Sequence, residues 1–268
     1  MKISHSNFSL GCSSYLRQLI GVGLFYFLGL NSTLSQLFTR PSEASGQKFV
    51  NMLRELIREL ERLGILHIEY GDFESLARHR GTIFAANHPS ALDVIALLNK
   101  IPHLTCLMRA SLMLNPVMRG AARMIDCIPN DIGASFIRQA EHKLRSGANL
   151  IIFPEGTRTA VGATVNPFKN GFALIAVRNQ LPIHTILIER KCPYLSKGVS
   201  VFAPTKLPIL IRLKAGKIFY PAPHERPRQL TLRIQKYFQS ALRTSGDAIY
   251  VEEEEATQEK AIICPQGH

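Results

Sequence analysis

The stretch "GTIFAANHPSALDVIALLNK", residues 81–100, changes character in its middle. "GTIFAA" is a continuous apolar run, the pattern of a strand buried on both faces. "ALDVIALLNK" carries its apolar residues at helical spacing. Pro89 lies between them, and the first turn of a helix accepts a proline because its missing N–H would be unpaired there anyway. A buried strand that turns through a few polar residues into a helix is one step of an α/β sheet. In such sheets ligands bind at the carboxyl ends of strands. "NHPSALD", residues 87–93, sits at such an end and holds His88 and Asp93 five positions apart. From the early helix the carboxylate can fold back to one ring nitrogen and fix the tautomer, leaving the other nitrogen free to take a proton from a hydroxyl. The same pair also suits a polar cap on the helix. Spacing alone does not choose between them.

Outward from this stretch the alternation continues. Residues 43–63, "EASGQKFVNMLRELIRELERL", read as an amphipathic helix with Phe49, Leu53, Leu56, Ile57, Leu60 and Leu63 on one face, ended by Gly64. "ILHIEYG" (65–71) alternates as a strand. After the opening stretch come a strand in "HLTCLMR" (103–109), a short helix in "LNPVMRGAARM" (114–124) and a strand in "IDCIP" (125–129). A helix follows in "DIGASFIRQAEHKLRSG" (131–147), then a strand entering a turn in "NLIIFPEG" (149–156). Next are a helix in "NGFALIAVRNQ" (170–180) and a strand in "LPIHTILIE" (181–189). "PILIRLKAGKIFY" (208–220) supplies a further strand or two, and residues 226–246 close with a helix. The expected architecture is α/β: a largely parallel mixed sheet flanked by helices, preceded by an N-terminal membrane-associated helical segment. The chain divides into a membrane-associating segment (1–40), an α/β domain (41–245) and an acidic tail (246–268).

Charge narrows the partners. The chain carries a net +12, but the tail holds six acids and one base, so residues 1–246 carry 31 bases against 14 acids. Such a body seeks polyanions. Nucleic acid is excluded as the expected partner: there is no Trp, no aromatic-rich basic strand, no zinc-finger spacing and no basic heptad helix. An anionic membrane surface fits better, because "LIGVGLFYFLGL" (19–30) is an uncharged apolar run. It is shorter than the ~20 residues of a spanning helix. Three readings compete: a signal-peptide core, a marginal transmembrane anchor, or a helix lying in one leaflet. The five cysteines are odd in number, scattered and free of any CxxC, which points away from a disulfide framework or structural zinc and toward a reducing compartment. Membrane attachment without export follows, at the cytoplasmic face of the inner (plasma) membrane. Cys106 and Cys127 read as inert core residues.

A second polar block follows the next buried strand. In "FPEGTRT" (153–159) Gly156 opens backbone conformations closed to other residues, Glu155 can accept hydrogen bonds that stiffen the turn, and Arg158 can grip a phosphate with two donors. Taken alone, the block also reads as a solvated turn, and Lys169 in "FKNG" (168–171) as a surface lysine. No GxSxG nucleophile occurs, "HER" (224–226) is not a HExxH site, and His67, His103 and His142 fit no metal-ligand spacing.

Taken in order, "NHPSALD", "FPEGTRT", "FKNGFALIA" and "LPIHTILIE" resemble the glycerolipid acyltransferase family, whose best-known members are the 1-acylglycerol-3-phosphate acyltransferases. The resemblance covers roughly residues 65–223, with a weaker match at "GKIFYPAP". It implies a membrane-associated O-acyltransferase that moves a fatty acyl chain from acyl-CoA or acyl-carrier protein to the hydroxyl of a lysophospholipid, with 1-acylglycerol-3-phosphate as the leading acceptor. His88 is then the general base and Asp93 its orienting partner. Glu155, Gly156, Thr157 and Arg158 match the block associated with acceptor binding. "LMRASL" resembles a segment where the family commonly has Lys, so Arg109 keeps the charge there, and Lys169 joins the acceptor site. "LPIHTI" looks like the fourth block, structural or lining the acyl site. No metal or cofactor is needed beyond the thioester, which is already activated. One departure stands out: in "ARMIDCIPND" (122–131) the basic position common in the family falls near Asn130, with Arg123 and Arg138 on either side. That keeps alive a different lysolipid or a non-phosphate acceptor such as an amino-acid lysolipid, unless Arg109 and Arg158 suffice for the phosphate; two separate rivals are thioester hydrolysis with His88 acting on water, and a non-catalytic lipid-binding homologue, against which the intact His88, Asp93, Glu155 and Arg158 argue.

Overall fold

The computed structural model describes residues 5–35, 42–130, 135–190, 192 and 194–243. The boundary drawn at 40/41, the tail from 246 and Cys264 lie outside them. Seven strands form one sheet in the order β1-β7-β6-β2-β5-β3-β4. They are β1 (Leu66–Gly71), β2 (Ile83–Ala86), β3 (Leu104–Met108), β4 (Ile128–Pro129), β5 (Asn149–Ile152), β6 (Ile183–Arg190) and β7 (Ile209–Phe219). Every neighbouring pair is parallel except β6 and β7. The stretch expected to give one or two strands gives the single long β7, whose reversal lets β1 pair at the edge.

Helices cover both faces, as the apolar runs require. Along β2, Phe84 and Ala86 face one core cluster, and Ile83 and Ala85 the other. The first cluster is filled by α2 (Glu43–Arg62), α3 (Asp93–Lys100) and α4 (Pro116–Met124), the second by α5 (Ser135–Arg145), α6 (Gly171–Asn179) and α7 over residues 227–243. Each fully buried Ile, Leu or Phe contributes roughly 1.5–3 kcal/mol. Both ends of α2 are capped, the second by the glycine expected there. Ser42 and Ser45 bond each other's backbone N–H at the start of α2. Gly64, at φ +64°, ends it with Ile65 N donating to Leu60 O and Gly64 N to Glu61 O. Cys106 and Cys127 are buried on β3 and just before β4, their sulfurs 3.0 Å apart.

The N-terminal apolar run belongs to a longer helix, α1 (His5–Ser35). No helix among the described residues is long and apolar enough to cross a membrane. α1 packs onto the domain instead. A Cβ on Gly29 would lie 2.5 Å from Val117, and one on Gly120 only 2.3 Å from Thr33 N, so the α1–α4 crossing depends on two glycines. Arg17 donates to Leu63 O at the end of α2, and Gln18 bonds the chain at 201–205. These contacts all lie near the carboxyl ends of β3 and β6 or the start of antiparallel β1. α1 therefore crosses the end of the sheet where the polar blocks emerge.

Candidate active site

Three loops meet where β2, β5 and β6 end. From the first, His88 Nδ1 donates to Asp93 Oδ2 at 2.9 Å. Asp93 is fully buried, and His88 keeps 18% of its side chain exposed. A carboxylate on Nδ1 holds the proton there and leaves Nε2 as the basic nitrogen. Asp93 Oδ2 also accepts Ser90 N at 2.8 Å, so the turn itself is built around the carboxylate. The His88 ring stacks on Phe153, with centroids 4.0 Å apart and planes 21° from parallel. Both rotation and position of the imidazole are thus fixed from two sides. Burial raises the Asp93 pKa, while the His88 hydrogen bond, the His88 and Arg190 charges and the Ser90 N–H oppose that rise.

Glu155 ties the second loop to the first. Its Oε1 accepts His88 N at 2.9 Å and Thr159 Oγ1 at 2.7 Å, and its Oε2 accepts Asn166 N at 2.8 Å. Thr159 N donates back to His88 O at 2.7 Å. A buried carboxylate that answers this many N–H and O–H donors is a frame for the backbone around His88. Gly156 has φ +66°, and a Cβ there would meet Lys169 Nζ at 2.8 Å. The turn needs glycine both for its backbone and for the lysine lying across it.

The third loop was not legible as part of the site. Arg158 Nη1 donates to Leu195 O at 2.8 Å and Ser196 O at 3.1 Å, so one of its donors serves the loop after β6. Ala91 N donates to Leu195 O, and Ser90 Oγ to Tyr194 O. Asn87, the buried first residue of the motif, uses both ends of its amide on the backbone of Ile188, at 2.8 Å each, and so prolongs the β2–β6 pairing to the edge of His88. Arg190, the last residue of β6, donates to Cys192 O and Ser196 Oγ. A basic residue directly after an apolar strand was the one available signal for it.

The structure brings His88, Asp93, Glu155, Gly156, Thr157, Arg158 and Lys169 to one place. Thr157 makes no hydrogen bond among the described residues. Arg109 is exposed at the turn after β3, with no hydrogen bond or ion pair to the His88 cluster among them. Asn130 stands beside it: its N–H donates to Met108 O at 2.7 Å and its side chain is exposed. Among the described residues no group of three or more His, Cys, Asp or Glu side chains is placed to hold a metal ion.

With this geometry in view, the similarities are specific. Residues 67–189 match the family described as Acyltransferase. A 1-acyl-sn-glycerol-3-phosphate acyltransferase of Cocos nucifera is 32% identical over 108 residues, 38% of this chain and 35% of that one. The chloroplastic 1-acyl-sn-glycerol-3-phosphate acyltransferase BAT2 of Brassica napus is 26% identical over 111 residues, 40% of this chain and 32% of that one. The matched segment thus spans about a third of the length of these two curated relatives. The crystal structure of the 1-acyl-sn-glycerophosphate acyltransferase PlsC of Thermotoga maritima superposes with a TM-score of 0.68 at 20% identity, over 87% of this chain and 98% of that one. That likeness establishes a shared fold.

Proposed function

We propose that this chain, whose residues 67–189 belong to the acyltransferase family, moves a fatty acyl group from an acyl thioester to the hydroxyl of a lysophospholipid. One observation carries the reading: His88 is bonded at Nδ1 to a buried carboxylate 2.9 Å away, and its ring lies where three strands end. The acceptor hydroxyl gives its proton to His88 Nε2 as its oxygen attacks the thioester carbonyl carbon. Asp93 stabilises the imidazolium that results. The tetrahedral intermediate then collapses, the C–S bond breaks, and the imidazolium returns the proton to the departing thiolate. The ester and the free thiol are the products, and the reading requires no metal or cofactor.

For the acceptor, 1-acylglycerol-3-phosphate is the first choice, supported by the cations Arg158, Lys169 and Arg109 around the same end of the sheet. A second reading has a specific basis. Arg158 Nη1 already serves two loop carbonyls, and Asn130 places a neutral side chain beside Arg109. Fewer free donors suit a head group without a phosphomonoester. Membrane attachment is part of the proposal: Leu16, Ile20, Phe27, Leu30 and Leu34 of α1 are exposed, as are Leu112 and Leu114 after β3. They belong to elements at the active-site end, so an acceptor held in one leaflet reaches His88 without leaving it. Mass spectrometry of products from purified protein, an acyl-CoA or acyl-carrier-protein donor and mixed lysolipids decides the acceptor. Phosphatidate from the wild type and none from His88→Ala is the expected result. A different acylated lysolipid keeps the mechanism and changes the substrate. Acylated product from His88→Ala removes His88 as the base.

A further inference from the structure

Residues 194–208, between β6 and β7, form no helix or strand. A loop of this length in a compact domain keeps its shape only through ties to other elements, and such loops commonly serve binding or catalysis. At one end this loop is tied to the active site. Tyr194 O accepts Ser90 Oγ at 3.3 Å, and Leu195 O accepts Ala91 N at 3.3 Å. Arg158 Nη1 donates to Leu195 O at 2.8 Å and to Ser196 O at 3.1 Å. Ser90 N in turn donates to the Asp93 carboxylate that holds His88.

The other end is tied to α1, chiefly by one side chain. Gln18 is 1% exposed in a helix whose Leu16 is 59% and Ile20 43% exposed. Its Nε2 donates to Ala203 O at 2.8 Å and to Val201 O at 3.4 Å, and its Oε1 accepts Thr205 N at 3.2 Å. A carboxamide donates and accepts at one point. It therefore satisfies three backbone groups of a segment that has no sheet ladder to do so. Tyr15 Oη adds a longer contact to Phe202 O at 3.5 Å. Tyr194 joins the two ends of the loop: its Oη donates to Val201 O at 2.8 Å while its carbonyl receives Ser90. The other polar ties of α1 run to helices. Arg17 reaches Leu63 O after α2, and Thr33 Oγ1 bonds Pro116 O and Gly120 N of α4. A continuous path of hydrogen bonds thus leads from Gln18 through Val201, Tyr194 and Ser90 to Asp93 and His88.

We propose that Gln18 is a positioning residue for the active site: by fixing residues 201–205 to α1 it holds the loop that carries the Ser90–Ala91 turn and Arg158, so the seating of α1 sets the place of His88. The catalytic consequence rests on the acyl-transfer reading. The mechanical link from Gln18 to His88 does not.

The test compares the full-length wild type with Gln18→Met and Arg17→Gln. The readouts are amide hydrogen exchange, the NMR signal of the labelled His88 ring, and kcat and KM in detergent micelles, where no bilayer has to be found. Gln18→Met keeps the length of the side chain and removes its donor and acceptor. Exchange should quicken across 194–205 and also at the Ser90 and Ala91 amides, and the His88 signal should move. kcat per folded molecule should fall about tenfold to a hundredfold, the loss expected when a reacting group is displaced by up to about 1 Å, with little change in KM for the thioester. Arg17→Gln loosens α1 at Leu63 and should leave the loop, the His88 signal and kcat in place. Faster exchange confined to 194–205, with the His88 signal and kcat unmoved, would overturn the inference. So would an equal effect of Arg17→Gln, which would reduce Gln18 to one of several anchors of α1. Should Gln18→Met not fold, native-state exchange of the wild type in low denaturant decides. Joint opening of the Thr205, Ser90 and Ala91 amides below the global transition supports the inference, and Ser90 and Ala91 staying closed while Thr205 opens overturns it. A moved His88 signal in a protein that acylates nothing would leave the link from Gln18 standing and sink the acyl-transfer reading.

Discussion

Asp93 and Glu155 are both buried carboxylates within one motif's reach of His88, yet they carry different loads. Asp93 touches the ring, and Glu155 touches the backbone beneath it. Asp93→Asn should keep the fold and present an amide to Nδ1, which permits the wrong tautomer. A fall in kcat of roughly 10²–10⁴ with little change in KM is the expected kinetic result. Glu155→Gln should act through stability. Whichever side of the carboxamide becomes NH₂, it faces a backbone N–H, that of His88 or that of Asn166. Setting donor against donor in a buried site costs about 1–3 kcal/mol, read as a lowered Tm. His184 gives a third residue-scale outcome. Burial, and then the neighbouring His79, push its pKa down to about 4 from an ordinary 6.5. The folded chain refuses a proton that the unfolded chain binds, so stability is full above pH 6.5 and is lost as pH falls toward 4. His184→Phe should flatten the fall of Tm across that window, and an unchanged slope would assign the acid sensitivity to other groups.

At the scale of elements, what could be read from the sequence followed period. Phe49, Leu53 and Ile57 recur at helical spacing and are buried in α2; "GTIFAA" is continuous and becomes the fully buried β2. The two polar blocks were legible because each follows such a run. The loop after β6 was not, since its contacts with Ser90, Ala91, Arg158 and Arg190 are made mostly by backbone carbonyls, which any residue supplies. The seat of α1 was hidden for a similar reason. Glycines at 29 and 120 look incidental in sequence and become meaningful only where two helix backbones touch. A Cβ at Gly120 would meet backbone atoms of Ser32 and Thr33, which cannot swing aside. Gly120→Val should therefore unseat α1, destabilise by about 1–3 kcal/mol, and speed proteolysis between α1 and α2. Gln18, buried to 1% exposure, marks the same joint: it bonds Val201 O, Ala203 O and Thr205 N. Through it, the helix expected to meet lipid also steadies the loop that holds Arg190.

Taken whole, the molecule sets an apolar helix across the active-site end of a basic body. Residues 1–246 carry 31 bases and 14 acids, so in the proposed attachment attraction to an anionic bilayer would act over a Debye length, and apolar contact only on arrival. The two contributions separate by experiment. Binding to vesicles containing anionic lipid should weaken as salt rises, whereas the apolar part should persist. Phe27 is 68% exposed and Leu30 47%, so Phe27→Asp with Leu30→Asp removes apolar contact without opening the core. Burying two such side chains in the interface contributes roughly 3–6 kcal/mol, which corresponds to a loss of at least a hundredfold in vesicle affinity with Tm unchanged. The doubly substituted protein should still acylate a lysolipid presented in detergent micelles, where no bilayer has to be found, and should fail selectively on vesicles. Equal loss on micelles and vesicles would mean that the two positions act on the site through the α1 joint at Gln18, and that attachment resides in another part of the surface.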